Sequence, residues 1–164
     1  MYCYLTRHAI AEDLPAGSAR DDASRALTAR GRTRMHIAAR GLLALGVRPQ
    51  RVLSSPLLRA RETAVILAEE LDAEQALWLA LAPGEGAAQV ERGLPVLEGL
   101  MLVGHQPDLS ALAAHWLGGT PAPQLVFRKG ACACLSFDDR PAAAAGRLEW
   151  LLQPRQLRAL AQGA

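Results

Sequence analysis

Short apolar runs alternate along this chain with longer stretches in which apolar residues recur every three or four positions. Met1 to Thr6 (MYCYLT) is apolar and β-favouring, and predicts a strand near the centre of a sheet. From Glu12 to Arg25 the chain turns polar around Pro15 and Gly17, the composition of a surface loop returning over the strand end. Thr28 then supplies a cap for a helix whose apolar side carries Met35, Ile37, Ala38, Leu42, Leu43 and Leu45, and which Gly46 ends. Arg51 to Ser54 reads as a second strand. Ser55-Pro56, a capping serine with proline at the first helical position, opens a second helix with Leu58, Ala64, Val65, Leu67, Ala68 and Leu71 facing inward.

Gln75 to Ala80 predicts an edge strand, followed by a turn at Pro83-Gly84 and a weak helix cut short by Gly93 and Pro95. Leu100 to Val103 is a third buried strand, broken by Gly104-His105-Gln106-Pro107 before a helix from Asp108 to Leu117. Leu125 to Arg128 and Cys132 to Phe137 read as strands around a turn at Lys129-Gly130, with Arg147 to Leu152 as a further partner, and a last helix follows Pro154. Three strands each followed by a helix imply an α/β fold: a three-layer α/β/α sandwich with a mostly parallel central sheet. One domain spans residues 1–164, and its site is expected at the carboxyl ends of the strands.

Composition narrows the function classes. The chain is 51% hydrophobic, yet no run approaches the roughly 20 apolar residues of a membrane span. Its start lacks the charged-then-apolar order of a signal peptide, so a cytoplasmic protein without a membrane partner is expected. Cys3, Cys132 and Cys134 are expected to be reduced, since three thiols cannot all pair internally. Residues 1–68 carry 11 Arg against 5 acidic side chains, while residues 69–164 carry 7 basic against 11 acidic, so the halves are opposite in sign. An arginine-rich half suits a phosphorylated ligand. Aromatics at 4% leave little for base stacking, so nucleic acid is not the expected partner.

The fold selects candidate residues by position. Arg7 and His8 follow the first strand, Arg59 lies just after Ser55, and His105 follows the third strand, so all four converge on one crevice. Two arginines and two imidazoles, with helix starts donating backbone N–H groups, suit a phosphoryl group whose oxygens must be held while something attacks in line. Cys132 and Cys134 would share one face of a strand as small core residues, and the four histidines lack metal-ligand spacing, so neither metal nor cofactor is expected. Arg30, Arg32, Arg34 and Arg40 read as a solvated helix face. No GxxxxGK loop or GxGxxG fingerprint occurs, which excludes kinase and dehydrogenase readings.

The ordered set LTRHAIAED, DDASRALTARG, VLSSPLLRARETA and LVGHQP, spanning residues 1 to about 118, resembles the histidine phosphatase superfamily, and within it the short SixA-type phosphohistidine phosphatases. The resemblance implies a phosphoglycerate mutase-like fold, with His8 as a nucleophile transiently phosphorylated on a ring nitrogen and Arg7, Arg59 and His105 clamping phosphate oxygens. It also implies that Arg25 reaches the phosphate and that Glu85, in Ala-Pro-Gly-Glu-Gly, stands where larger members carry a general acid. Many members have glycine after the nucleophile; here it is Ala9. For His8 to attack, its other ring nitrogen must donate to an acceptor such as a backbone carbonyl. Phosphohistidine needs little acid help, because its imidazole leaving group takes a proton on the remote nitrogen or from water.

The expected activity is removal of phosphate from phosphohistidine on a protein, such as a phosphotransfer domain of a signalling or sugar-transport phosphorelay. A small-molecule phosphomonoesterase of the same superfamily is the alternative, and a non-catalytic phosphate- or nucleic-acid-binding module the third reading.

Overall fold

Six strands, β1 (Tyr2–Arg7), β2 (Arg51–Ser54), β3 (Glu74–Leu77), β4 (Leu100–Gly104), β5 (Cys132–Ser136) and β6 (Arg147–Leu152), form one sheet in the order β3-β2-β4-β1-β5-β6. The structure, a computed structural model, describes residues 1–14, 21–118 and 124–163; Pro15 and Gly17 of the expected polar loop lie outside them. β1 pairs in parallel with β4, β4 with β2 and β2 with β3. β5 runs antiparallel between β1 and β6, so it alone is reversed and the sheet is mostly parallel, as expected.

The central strands read as continuous apolar runs because both faces of the sheet are covered. Tyr4, Val52, Met101, Val103, Cys132 and Cys134 point into one core, which α1 (Ala29–Ala44), α2 (Leu58–Leu71) and α5 (Pro154–Leu160) close. Cys3, Leu5, Leu53, Leu100, Leu102 and Leu135 point into the other, closed by α3 (Ala87–Glu91) and α4 (Asp108–Leu117). Cys132 and Cys134 thus share a face as small core residues, and all three cysteines are buried free thiols. The seam between α1 and α5 is tight: a Cβ on Gly41 would lie 1.9 Å from the Leu157 carbonyl oxygen.

Thr28 caps α1, its hydroxyl accepting from the Gly31 N–H at 2.9 Å. Ser55 does not cap α2. That helix starts at Leu58 behind Leu57, with no side-chain cap; the Ser55 hydroxyl accepts from the Leu57 N–H at 3.3 Å and lies 2.8 Å from His105 Nε2. The edge strand covers Glu74–Leu77 and gives way to a 3-10 turn at Leu79–Leu81, earlier than the pattern suggests. Leu125 to Arg128 form no strand. Their carbonyls serve side chains instead of a ladder: Leu125 accepts from the Ser110 hydroxyl, Val126 from the Gln153 amide and Phe127 from the Arg7 guanidinium. No helix among the described residues is long and apolar enough to cross a membrane.

Candidate active site

Buried polar side chains are costly unless partnered, so where they gather is informative. Of the seven among the described residues, five gather at one place: His8, Ser55, Arg59, Thr63 and His105. The topology explains the gathering. β2, β4 and β1 are adjacent and parallel, so their carboxyl ends lie side by side, and the residues that follow them meet.

His8 is positioned through its backbone, its N–H donating to the Gly104 carbonyl at 3.1 Å. Its ring Nδ1 lies 2.7 Å from the Ala9 carbonyl oxygen. A carbonyl can only accept, so Nδ1 carries the proton and Nε2 the lone pair. The Ala9 N–H donates to the Thr63 hydroxyl at 3.0 Å, and that hydroxyl donates to the Arg59 carbonyl at 2.6 Å. One threonine of α2 therefore ties the His8 strand end to the turn that carries Arg59. The His105 ring stands 5.1 Å from that of His8, centroid to centroid.

Both imidazoles are neutral near pH 7. Burial, opposed by the Ala9 carbonyl and reinforced by His105, Arg59 and Arg7, lowers His8 to a pKa of about 3. Burial, then Arg59 and Arg7 against a contrary pull from Asp22, lowers His105 to about 4. Arg7 is also lowered, by burial and by the Arg59 charge. Two guanidinium groups are thus held in mutual repulsion beside two neutral rings.

Arg7 Nη1 donates to the Phe127 carbonyl at 2.8 Å. Arg59 donates to Asp22 twice, from Nη1 to the carbonyl at 2.8 Å and from Nη2 to a carboxylate oxygen at 2.9 Å. The Nε atoms of Arg7 and Arg59 and Nδ1 of His105 are buried without a hydrogen-bond partner. Buried donors of this kind call for explanation, and a tetrahedral oxyanion supplies the acceptors that all three would use.

The structure therefore brings Arg7, His8, Arg59 and His105 together. Among the described residues Arg25 is joined to them through Asp22, donating to its carboxylate at 2.9 Å, and it also donates to the Glu12 carbonyl at 2.6 Å. Glu85 is exposed, on the loop before α3, and lines a small cavity with His105 and Asp108. Sequence reasoning singled out neither Asp22 nor Thr63 and gave Ser55 only the role of a helix cap, although all three stand in the quoted motifs. Among the described residues no group of three or more His, Cys, Asp or Glu side chains is arranged to hold a metal ion.

Residues 3–82 match the family model of the histidine phosphatase superfamily, branch 1. An uncharacterised protein of Picosynechococcus sp. is 36% identical over 166 residues, covering 93% of this chain and 99% of that protein. The chain belongs to the histidine phosphatase superfamily, and its activity class is that of a phosphatase. Its fold is that of the SixA-type branch. It superposes on the protein histidine phosphatase SixA, solved with tungstate, with a TM-score of 0.81 over 96% of this chain and 99% of that one, at 24% identity. A mycobacterial glucosyl-3-phosphoglycerate phosphatase shares the fold at a TM-score of 0.64 and 20% identity, over 90% of this chain and 96% of that one.

Proposed function

We propose that the protein is a metal-independent phosphohistidine phosphatase acting on a phosphorylated protein through a covalent intermediate on His8. The observation that carries this reading is the 2.7 Å contact of His8 Nδ1 with the Ala9 carbonyl, which leaves Nε2 unprotonated. A neutral imidazole nitrogen is a competent nucleophile near pH 7. In the first step Nε2 attacks phosphorus, the substrate N–P bond breaks and the departing imidazole takes a proton from water. In the second step water attacks the phosphoryl group, the bond to Nε2 breaks, and inorganic phosphate leaves. Arg7, Arg59 and His105 hold the equatorial oxygens through their unpartnered N–H groups. A Ser55 hydroxyl donating to His105 Nε2 at 2.8 Å keeps the proton on Nδ1, so that His105 donates there to the phosphoryl group. Arg25, steadied by Asp22, stands outside this clamp and adds positive field.

A protein substrate is supported by the shape beside His105. The cavity lined by His105, Glu85 and Leu109 holds only about 10 Å3, room for about one water, so a large organic group does not enter it. The alternative, a small-molecule phosphomonoesterase, is favoured by one observation: the Glu85 carboxylate lines that same cavity, where an acid would protonate an alkoxide.

The test is brief incubation, in EDTA, with a protein radiolabelled with phosphate on histidine, counting label on this chain and in free phosphate. Phosphate release with acid-labile, alkali-stable label passing through the native chain but not through His8→Ala is expected. Ester hydrolysis without release from phosphohistidine would move the substrate to a small phosphate ester. Silence in both would leave a binding module.

A further inference from the structure

Beside the site, on the face covered by α1 and α5, opens a cavity of about 180 Å3. Ala9 and Met35 contribute to an apolar floor. Five cations ring it: Arg34 from α1, Arg128 and Lys129 from the segment before β5, and Arg155 and Arg158 from α5. Among the described residues no carboxylate lines it, and none forms an ion pair with any of the five. Elsewhere Arg25, Arg32, Arg40, Arg51, Arg59 and Arg147 each face an acidic partner, and what sets the cavity apart is that five cations without one among the described residues are gathered at a single place.

Folding gains nothing from this arrangement. Arg30 and Arg155 stand in the first turns of α1 and α5, where the helix dipole favours anions, and neither first turn has an acidic residue. Burial and the charges of Arg34, Arg30 and Arg155 push the Arg158 guanidinium below its ordinary pKa, so the cluster repels itself. Such a cost is offset only when an anion arrives.

The cavity also adjoins the reaction centre. Ala9 lines it and is the residue after His8, about 3.8 Å away between Cα atoms. Gly130, another lining residue, donates its N–H to the carbonyls of both Arg7 and His8 at 3.1 Å. No aromatic side chain lines the cavity, so it offers no platform for bases. Its cations come from three separate segments, a spread that several carboxylates on one polypeptide can meet.

We propose that this cavity is a docking subsite for Asp and Glu side chains flanking the phosphohistidine of the protein substrate. It rests on the reading above that the substrate is a phosphohistidine protein. It goes beyond that reading by making the enzyme selective for acidic surroundings.

The test uses two synthetic peptides of equal length, each with one phosphohistidine, flanked in one by glutamates and in the other by glutamines. The native chain is compared with the triple variant Arg34→Gln, Arg155→Gln, Arg158→Gln, using phosphoramidate as a substrate too small to reach the cavity. At low salt the native chain is expected to favour the glutamate peptide about tenfold in kcat/KM, mostly through KM. The triple variant is expected to lose that preference while turning over phosphoramidate at the native rate, which also shows that it is folded. Equal kcat/KM on the two peptides by the native chain overturns the proposal. So does capture of labelled polyuridylate by the native chain but not the variant, with both peptides cleaved alike, since that assigns the cations to nucleic acid. Turnover of phosphoramidate with neither peptide cleaved removes the phosphohistidine-protein reading itself, and the subsite with it.

Discussion

Asp22 grips Arg59 at both ends of its guanidinium, with a carbonyl at 2.8 Å and a carboxylate oxygen at 2.9 Å. Its carboxylate lies well below the usual range, chiefly through the hydrogen bond from Arg25 and then that from Arg59, so it is an anion at every pH of interest. It therefore competes with a phosphoryl group for the positive charge of Arg59, although it occupies Nη1 and Nη2 and leaves Nε unpartnered. Asp22→Asn keeps the carbonyl contact and removes the charge; because the side chain is 54% exposed, the gain is modest. Inorganic phosphate is expected to bind about threefold more tightly by calorimetry. Weaker binding would show that Asp22 aims Arg59 instead of competing for it.

Ser55→Ala removes the partner of His105 Nε2 while touching no phosphate oxygen in the proposed clamp. The ring then loses its hydrogen bond at Nε2. A fall of about tenfold in kcat/KM on phosphoramidate is expected, the size of one buried hydrogen bond, with a loss of about 1–3 kcal/mol in urea unfolding because the His105 ring nitrogen is left unpartnered. Full activity in the variant would remove Ser55 from the mechanism.

Thr63→Val leaves the Ala9 N–H buried without an acceptor and releases the Arg59 carbonyl. Urea unfolding should report a loss of about 1–3 kcal/mol, which Thr63→Ser restores. Because the same hydroxyl links His8 and Arg59, kcat is expected to fall as well.

Acid should weaken the fold through the two buried imidazoles. In the unfolded chain each titrates near 6.5, while folding holds His8 at about 3 and His105 at about 4, mainly by burial. Between those values the unfolded chain binds more protons, so stability is undiminished above about pH 6.5 and falls as pH drops toward the folded values. The slope reaches about 1.4 kcal/mol per pH unit for each ring. Denaturant melts at about pH 7.5 and about pH 5 check the sign, and His105→Gln should flatten the difference.

The strands and the four central site residues were legible because both rest on local signals. Leu100 to Gly104 is apolar on every residue, as a strand covered on both faces must be, and Arg7, His8 and His105 sit where such strands end. What escaped depends on partners distant in sequence. A serine before proline is a sound cap signal, yet the Ser55 hydroxyl lies against His105, fifty residues on. Leu125 to Arg128 have strand-like residues, but side chains from Arg7, Ser110 and Gln153 consume their carbonyls. Arg34 read as one of four solvated arginines. Arg32 and Arg40 do find surface carboxylates, whereas Arg34 turns to a cavity completed by residues more than ninety positions away.

β1, which delivers Arg7 and His8, has hydrogen-bonded neighbours on both sides, while β3 and β6 bear the open edges. Fraying of either edge leaves the carboxyl end of β1 in place. The amides of Leu5 and Thr6 should thus be among the slowest in the molecule to exchange with deuterium, opening only with the whole fold. The strand end that carries His8 is then as durable as the protein itself: damage or heat sufficient to loosen the periphery would leave His8 where it stands.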